Sequence, residues 1–129
     1  MVLCLVSLLF VSCSKDDNTD MPADNMPSYT GDFQSSAHST SGSARINHDK
    51  TILSFTSFKT SSGPDLNIYL ASDPANVEGD YIDLGNIKGV DGDYTYDLPA
   101  GTDYAKYRYV VVWCVTFHIN FGYAMMVPQ

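Results

Sequence analysis

Basic residues are scarce in this sequence. Seven Lys and Arg stand against fifteen Asp and Glu, which gives a formal net charge of -8. Proteins that bind nucleic acids need clustered Lys and Arg to displace the counterions of the phosphates. Because the basic residues here are few and scattered, the sequence predicts no nucleic-acid partner.

The sequence also lacks an apolar segment long enough to span a membrane. Residues 1–12 are almost wholly apolar, whereas a membrane-spanning helix needs about 20 such residues. Their length suits a signal peptide, and Ser12 before Cys13 fits the cleavage site of a bacterial lipoprotein. We therefore expect residues 1–12 to be removed and Cys13 to carry acyl chains that bind the lipid membrane.

The residues after Cys13 are polar and carry no apolar periodicity. The run Ser14-Lys15-Asp16-Asp17 resembles the surface-export signal of Bacteroidota lipoproteins. It implies an outer-membrane lipoprotein exposed at the cell surface, with a periplasm-facing lipoprotein as the alternative. A segment of this composition buries too little apolar surface to offset its ordering entropy. We therefore predict that residues 13–28 are a lipidated cysteine and a disordered tether, followed by one domain over residues 29–129.

Helical periodicity is absent from that domain, which instead contains short runs rich in Val, Ile, Tyr, Phe and Thr. Leu66, Ile68 and Leu70 alternate with less apolar neighbours, as expected of a strand with one face in a core. A turn at His48–Lys50 predicts a hairpin, and Asp73–Gly79 has room for one helical turn. The sequence predicts an all-β domain, an antiparallel β-sandwich or jelly-roll-like fold of about seven or eight short strands.

The segment Tyr109–Val115 is apolar on both faces and therefore belongs in the middle of a sheet that is covered on both sides. Side-chain alternation puts Cys114 on one face with Val110 and Val112, and Trp113 on the other. Continued alternation predicts that Phe117, Ile119 and Phe121 share a face. Cys4 is lost with the leader and Cys13 is lipidated, so Cys114 is the only ordinary thiol of the mature protein.

Four motifs in this order resemble one family, the DM thirteen domain found beside DOMON domains in Skeletor-like animal cell-surface proteins and alone in many bacterial proteins. The Gly-Pro-Asp-Leu and Trp-Cys motifs are the most specific of the four. The motifs are Gly31-x-Phe33 with His38-x-x-x-Gly42-x-Ala44, Gly63-Pro64-Asp65-Leu66-x-Ile68-Tyr69-Leu70, Leu84-Gly85-x-Ile87-x-Gly89, and Tyr109-x-Val111-Val112-Trp113-Cys114-x-x-Phe117-x-Ile119-x-Phe121-Gly122-x-Ala124.

The resemblance implies a redox or electron-transfer module that uses Cys114, either as a bare thiol or as a ligand to haem or a metal such as copper. His38 matches a family histidine and is the candidate second contact. A thiolate with a neighbouring imidazole suits haem iron, Cu(I) or zinc, so the identity of a cofactor stays open. A carrier with one thiol also needs a redox partner protein.

Two alternatives stand beside the redox hypothesis. A free cysteine on an apolar strand is often a small core residue, unreactive unless a cation or a metal lies close. The domain would then be a non-catalytic surface module that binds a glycan, a peptide or a partner protein.

The sequence contains no Cys-x-x-Cys, no Gly-x-Ser-x-Gly and no His-Glu-x-x-His. We therefore predict no catalytic residues and an electron-transfer or binding module, not a self-sufficient enzyme.

Overall fold

The computed structural model describes residues 26–129, so the predicted signal peptide, Cys13 and most of the predicted tether lie outside the described residues. Nine strands and one short 3-10 helix follow one another along the chain. They are β1 (Tyr29–Ser35), β2 (Ser41–Ile46), β3 (Ile52–Lys59), β4 (Leu66–Ala71), the 3-10 helix Val77–Gly79, β5 (Tyr81–Asn86), β6 (Asp91–Asp97), β7 (Tyr109–Cys114), β8 (Ile119–Met125) and β9 (Val127–Pro128). Among these described residues, no helix is long and apolar enough to cross a membrane.

The strands form one antiparallel sheet in the order β5-β4-β7-β8-β1-β2-β3-β6, with β9 paired to β1. Strand β1 joins the two halves of this sheet, because its first residues pair with β2 and its last residues, Phe33–Ser35, pair with β8. Residues of both halves meet in one apolar core, so the sheet bends around it into a nearly closed, barrel-like form. The predicted antiparallel all-β fold is confirmed, as is the hairpin that pairs Ala44 with Phe55 and Ile46 with Leu53.

A bulge in β3 brings two aromatic rings into the core. Phe55 and Phe58 are three residues apart, which would put them on opposite faces of a regular strand. The register with β6 shifts between them, and Ser57 has φ 51°, so both rings point inward. The bulged backbone leaves no space for a side chain at Gly42, where a Cβ would lie 2.7 Å from the Ser57 carbonyl oxygen. Glycine is therefore required at position 42.

The two faces of β7 follow the predicted alternation. Val110, Val112 and Cys114 belong to the main core, whereas Val111 and Trp113 belong to a second apolar cluster on the outer face. The one-turn helix predicted at Asp73–Gly79 is present as the 3-10 helix, and its Val77 is buried in the outer cluster.

The prediction for Phe117 is wrong. Strand β7 ends at Cys114, and Phe117 lies in the turn before β8 with 59% of its surface exposed. The register of β7 and β8 also shifts between Val112 and Trp113, which interrupts the alternation predicted from the sequence. Of the three residues expected to share a face, Phe121 is buried and Ile119 is exposed.

These positions predict a contrast between two Phe→Ala substitutions. Phe58 is fully buried and its ring centroid lies 4.9 Å from that of Phe55. We expect Phe58→Ala to lower the free energy of unfolding by about 3–5 kcal/mol, because it leaves a cavity in the core. Phe117→Ala is the matched control and should change it by less than about 0.5 kcal/mol. Urea unfolding of both variants measures the difference, and equal losses would contradict this placement of Phe117.

Candidate functional site

Cys114 is the last residue of the central strand β7, and its side chain is fully buried in the main core. It is the one free cysteine of the described chain. Its neighbours across the sheet are Leu66 on β4 and Ile119 on β8. The thiol therefore lies in a packed apolar layer at the end of the barrel where the loop between β3 and β4 closes over it.

That loop provides the hydrogen-bond acceptor for the thiol. The Cys114 Sγ–H donates to the Pro64 carbonyl oxygen at 3.2 Å. The loop is held there by a backbone hydrogen bond in which Val115 N–H donates to the Asp65 carbonyl oxygen at 3.0 Å. Asp65 has φ 55°, a conformation that Asp and Asn tolerate better than most residues, and it turns the chain into β4. The Gly-Pro-Asp-Leu motif thus forms the cap over Cys114.

Gly63 allows this cap to pack closely on Phe121. A Cβ at position 63 would lie 2.7 Å from Cζ of Phe121, closer than carbon atoms can approach without displacement. Phe121 is itself buried and belongs to the same core cluster as Cys114. Gly63 is therefore required for a close contact, whereas most of the loop around it is exposed.

His38 lies on the outer side of Phe121. It is an exposed residue in the turn between β1 and β2, and its ring packs on Phe121 with 4.0 Å between the centroids and an interplanar angle of 39°. Its backbone N–H donates to the Phe121 carbonyl oxygen at 3.1 Å. The structure thus places Cys114 in the same core cluster as Phe121, and His38 at the surface against the Phe121 ring. No hydrogen bond joins them within residues 26–129.

The described residues do not fit a haem or metal site at Cys114. The thiol proton is donated to a carbonyl oxygen, whereas a metal ligand must be a thiolate. The sulfur has no exposed surface to offer a cofactor. Within residues 26–129, no three His, Cys, Asp or Glu side chains lie close enough to hold a metal ion. His38 contacts a phenyl ring and could join Cys114 on one metal only after the core had opened.

The outer face of the sheet contains aromatic residues that the sequence prediction missed. The ring of Tyr69 stacks on Tyr81 with a centroid distance of 4.3 Å and an interplanar angle of 8°. On its other side, Tyr69 stacks on Trp113 at 6.1 Å and 22°. The alternation of Leu66, Ile68 and Leu70 implied that Tyr69 faces outward, but pairing with Trp113 depends on which strands are neighbours.

The environment of this stack is negatively charged and partly desolvated. Burial, together with the nearby carboxylates of Asp83 and Glu78, raises the pKa of Tyr69 to about 12. Tyr69 therefore remains a neutral phenol across the physiological pH range. The indole Nε1–H of Trp113 is buried and has no hydrogen-bond acceptor. The burial of Tyr69 and of the Trp113 indole follows from the packing of these side chains between the sheet and the segment that contains Val77.

Comparison with known proteins gives one family. The family model described as Electron transfer DM13 matches residues 32–126, which include His38, the Gly63–Leu66 cap and Cys114. No curated protein and no solved structure matches the chain. The match covers well over half of the chain and therefore shows the family.

The cap predicts how well the thiol is protected from reagents. Gly63→Ala should lower the free energy of unfolding by about 1–3 kcal/mol, because the added methyl group must displace the Phe121 ring. The labelling of Cys114 by N-ethylmaleimide, followed by mass spectrometry, should become faster in the same variant. Ser62→Ala, in an exposed position of the same loop, is the matched control and should change neither quantity. Equal labelling rates in wild type and Gly63→Ala would show that this loop does not protect the thiol.

Proposed function

The chain belongs to the electron-transfer DM13 family, and we propose that its β domain is a one-electron redox module in which the thiol of Cys114 carries the electron. The observation that carries this proposal is the position of Cys114. It is a fully buried thiol inside the family match, with its proton held by the Pro64 carbonyl oxygen. A thiol so enclosed is protected from peroxides and from disulfides, which oxidise exposed cysteines to sulfur oxyacids or to mixed disulfides.

One-electron chemistry fits this thiol better than dithiol exchange. A dithiol–disulfide cycle requires a thiolate that can attack a second sulfur. Cys114 is the one free cysteine of the described chain and has no exposed surface. Its oxidation would remove one electron and the Sγ–H proton and leave a thiyl radical, with the proton passing to water at the exposed Pro64–Asp65 loop. Reduction returns one electron and one proton. The acceptor class is a one-electron redox protein that contains haem or copper.

Cys114→Ser tests the redox role without removing the hydrogen bond. The serine hydroxyl can donate to the Pro64 carbonyl oxygen as the thiol does, so the domain should remain folded. In voltammetry of the adsorbed protein, Tyr and Trp also oxidise. We therefore expect wild type to show one reversible one-electron wave in addition to theirs, and we expect this wave to be lost in Cys114→Ser. The matched control is Ser62→Ala, which should keep the wave. A wave that persists in folded Cys114→Ser, or is absent from wild type, would favour the alternative of a binding module with a structural cysteine.

We also propose that Cys13 anchors the protein to the outer membrane, with the domain at the cell surface. The support is the apolar leader, the Ser12–Cys13 junction and the polar run after it. Two acyl chains would bury enough CH₂ groups for stable anchoring, whereas one chain binds only marginally.

Cys13→Ala should abolish the incorporation of radiolabelled palmitate and move the protein out of the membrane fraction. Ser14→Ala, at the neighbouring position, is the matched control and should change neither. Digestion of intact cells with proteinase K distinguishes the two orientations. The surface proposal predicts loss of the domain, and complete protection would place it in the periplasm instead.

A further inference from the structure

Three aromatic rings form a continuous stack from the edge of the sheet to the strand that carries Cys114. They are Tyr81 on β5, Tyr69 on β4 and Trp113 on β7. Strand β5 is an edge strand, and 41% of the surface of Tyr81 is exposed. Tyr69 and Trp113 are both more than nine-tenths buried. The stack therefore has one end in solvent and the other end inside the domain.

The strand register explains why the three rings touch. Tyr81 lies opposite Ala71, whose small side chain leaves space for the Tyr81 ring to lean onto Tyr69 two residues away. Trp113 lies opposite Asn67, also two residues from Tyr69. Diagonal neighbours on adjacent strands are within reach of aromatic side chains. The stack is thus fixed by backbone pairing in three neighbouring strands.

A buried redox thiol needs a route for electrons, because no partner can touch it. Trp113 is joined to Cys114 by a single peptide bond, and the two side chains point to opposite faces of β7. Electron transfer slows steeply with distance, so stacked oxidisable rings conduct electrons better than saturated side chains do. Tyr and Trp are the side chains that lose single electrons most readily, together with Cys and Met.

We propose that the Tyr81–Tyr69–Trp113 stack, the aromatic path, carries single electrons between Cys114 and a redox partner at the β5 edge of the sheet. This inference rests on the proposed redox role of Cys114. The partner is identified only by its chemistry, as a one-electron oxidant large enough to remain outside the domain.

The steps balance for one electron and one proton. The oxidant removes an electron from Tyr81, whose phenolic proton passes to water because the ring is exposed. An electron from Trp113, passing by way of Tyr69, restores Tyr81, which takes a proton back from water. Trp113 is then an indole radical cation, and it keeps its Nε1 proton because that N–H faces no acceptor. Cys114 finally reduces Trp113 and releases its thiol proton through the Pro64–Asp65 loop.

The charges near the path favour this sequence. The carboxylates of Asp83 and Glu78 are close enough to Tyr69 to raise its pKa. Negative charge that disfavours a phenolate also stabilises the positive charge of an oxidised neighbour, since both effects have the same electrostatic origin. Trp113 is the only tryptophan in the sequence, so any indole radical that is detected belongs to Trp113.

Flash photolysis of the protein with tris(bipyridine)ruthenium(II) and an electron-accepting quencher tests the path. The photogenerated ruthenium(III) complex is the one-electron oxidant, and transient absorption distinguishes tyrosyl from indole radicals. In wild type we expect a tyrosyl signal that converts into the Trp113 signal. In Tyr69→Phe the tyrosyl signal should persist and the Trp113 signal should be lost, although the ring and its packing remain.

Two further variants make the result decisive. Tyr81→Phe interrupts the path at an exposed position, where loss of folding is least expected, and should also remove the Trp113 signal. Tyr109→Phe is the matched control: Tyr109 lies on the same face of β7 and packs against Tyr123, outside the stack. A Trp113 signal that forms as fast in Tyr69→Phe and Tyr81→Phe as in this control overturns the path.

Cys114→Ser separates the failure of the path from the failure of the proposed redox role. If both hold, the Trp113 radical decays faster in wild type than in Cys114→Ser, because only wild type has a thiol to reduce it. A Trp113 radical that requires Tyr69 but decays equally in both proteins keeps the path and contradicts the role of Cys114. If wild type gives no Trp113 signal, the path is overturned, and the role of Cys114 is then tested by voltammetry alone.

Discussion

The fold depends on one strand that cannot tolerate water on either face. Strand β7 is buried along its length on both sides, and a strand of this kind requires a neighbour on each edge and a cover on each face. Its edges are paired with β4 and β8. Its inner face is covered by the barrel core, and its outer face by the aromatic cluster with Val77. This double cover puts a thiol and an indole, adjacent in sequence, in two separate apolar environments.

The two environments give the thiol and the indole different access to solvent. On the inner face, Cys114 has no exposed surface and donates a hydrogen bond to the Pro64 carbonyl oxygen of the cap. On the outer face, Trp113 contacts a stack of rings whose last member is exposed. A small electron carrier requires a protected redox group and an exposed group at which a partner can exchange electrons with it. Here both are produced by side-chain alternation on one strand and by the pairing of its neighbours.

Local pattern predicted a large part of this structure. The period of two along β7 and β4 assigned the faces of Cys114, Trp113 and Leu66 correctly, because burial on a pleated strand depends on alternation alone. Phe117, which alternation misplaced, lies in a turn. The bulge at Ser57 that turns Phe58 inward lies outside what a period of two can predict. The contacts of His38 with Phe121 and of Tyr69 with Trp113 join residues distant in sequence, and no local signal encodes such pairs.

In the proposed carrier, the unpaired electron left by oxidation comes to rest on the sulfur of Cys114. Electron paramagnetic resonance of the oxidised, rapidly frozen protein tests this claim most directly when the protein is made with cysteine deuterated at Cβ. Because the unpaired electron of a thiyl radical couples to the Cβ hydrogens, the account predicts that hyperfine splitting collapses on deuteration. A spectrum that is unchanged by labelled cysteine, but altered by ring-deuterated tyrosine or tryptophan, would contradict it and leave the aromatic residues as the final site of oxidation.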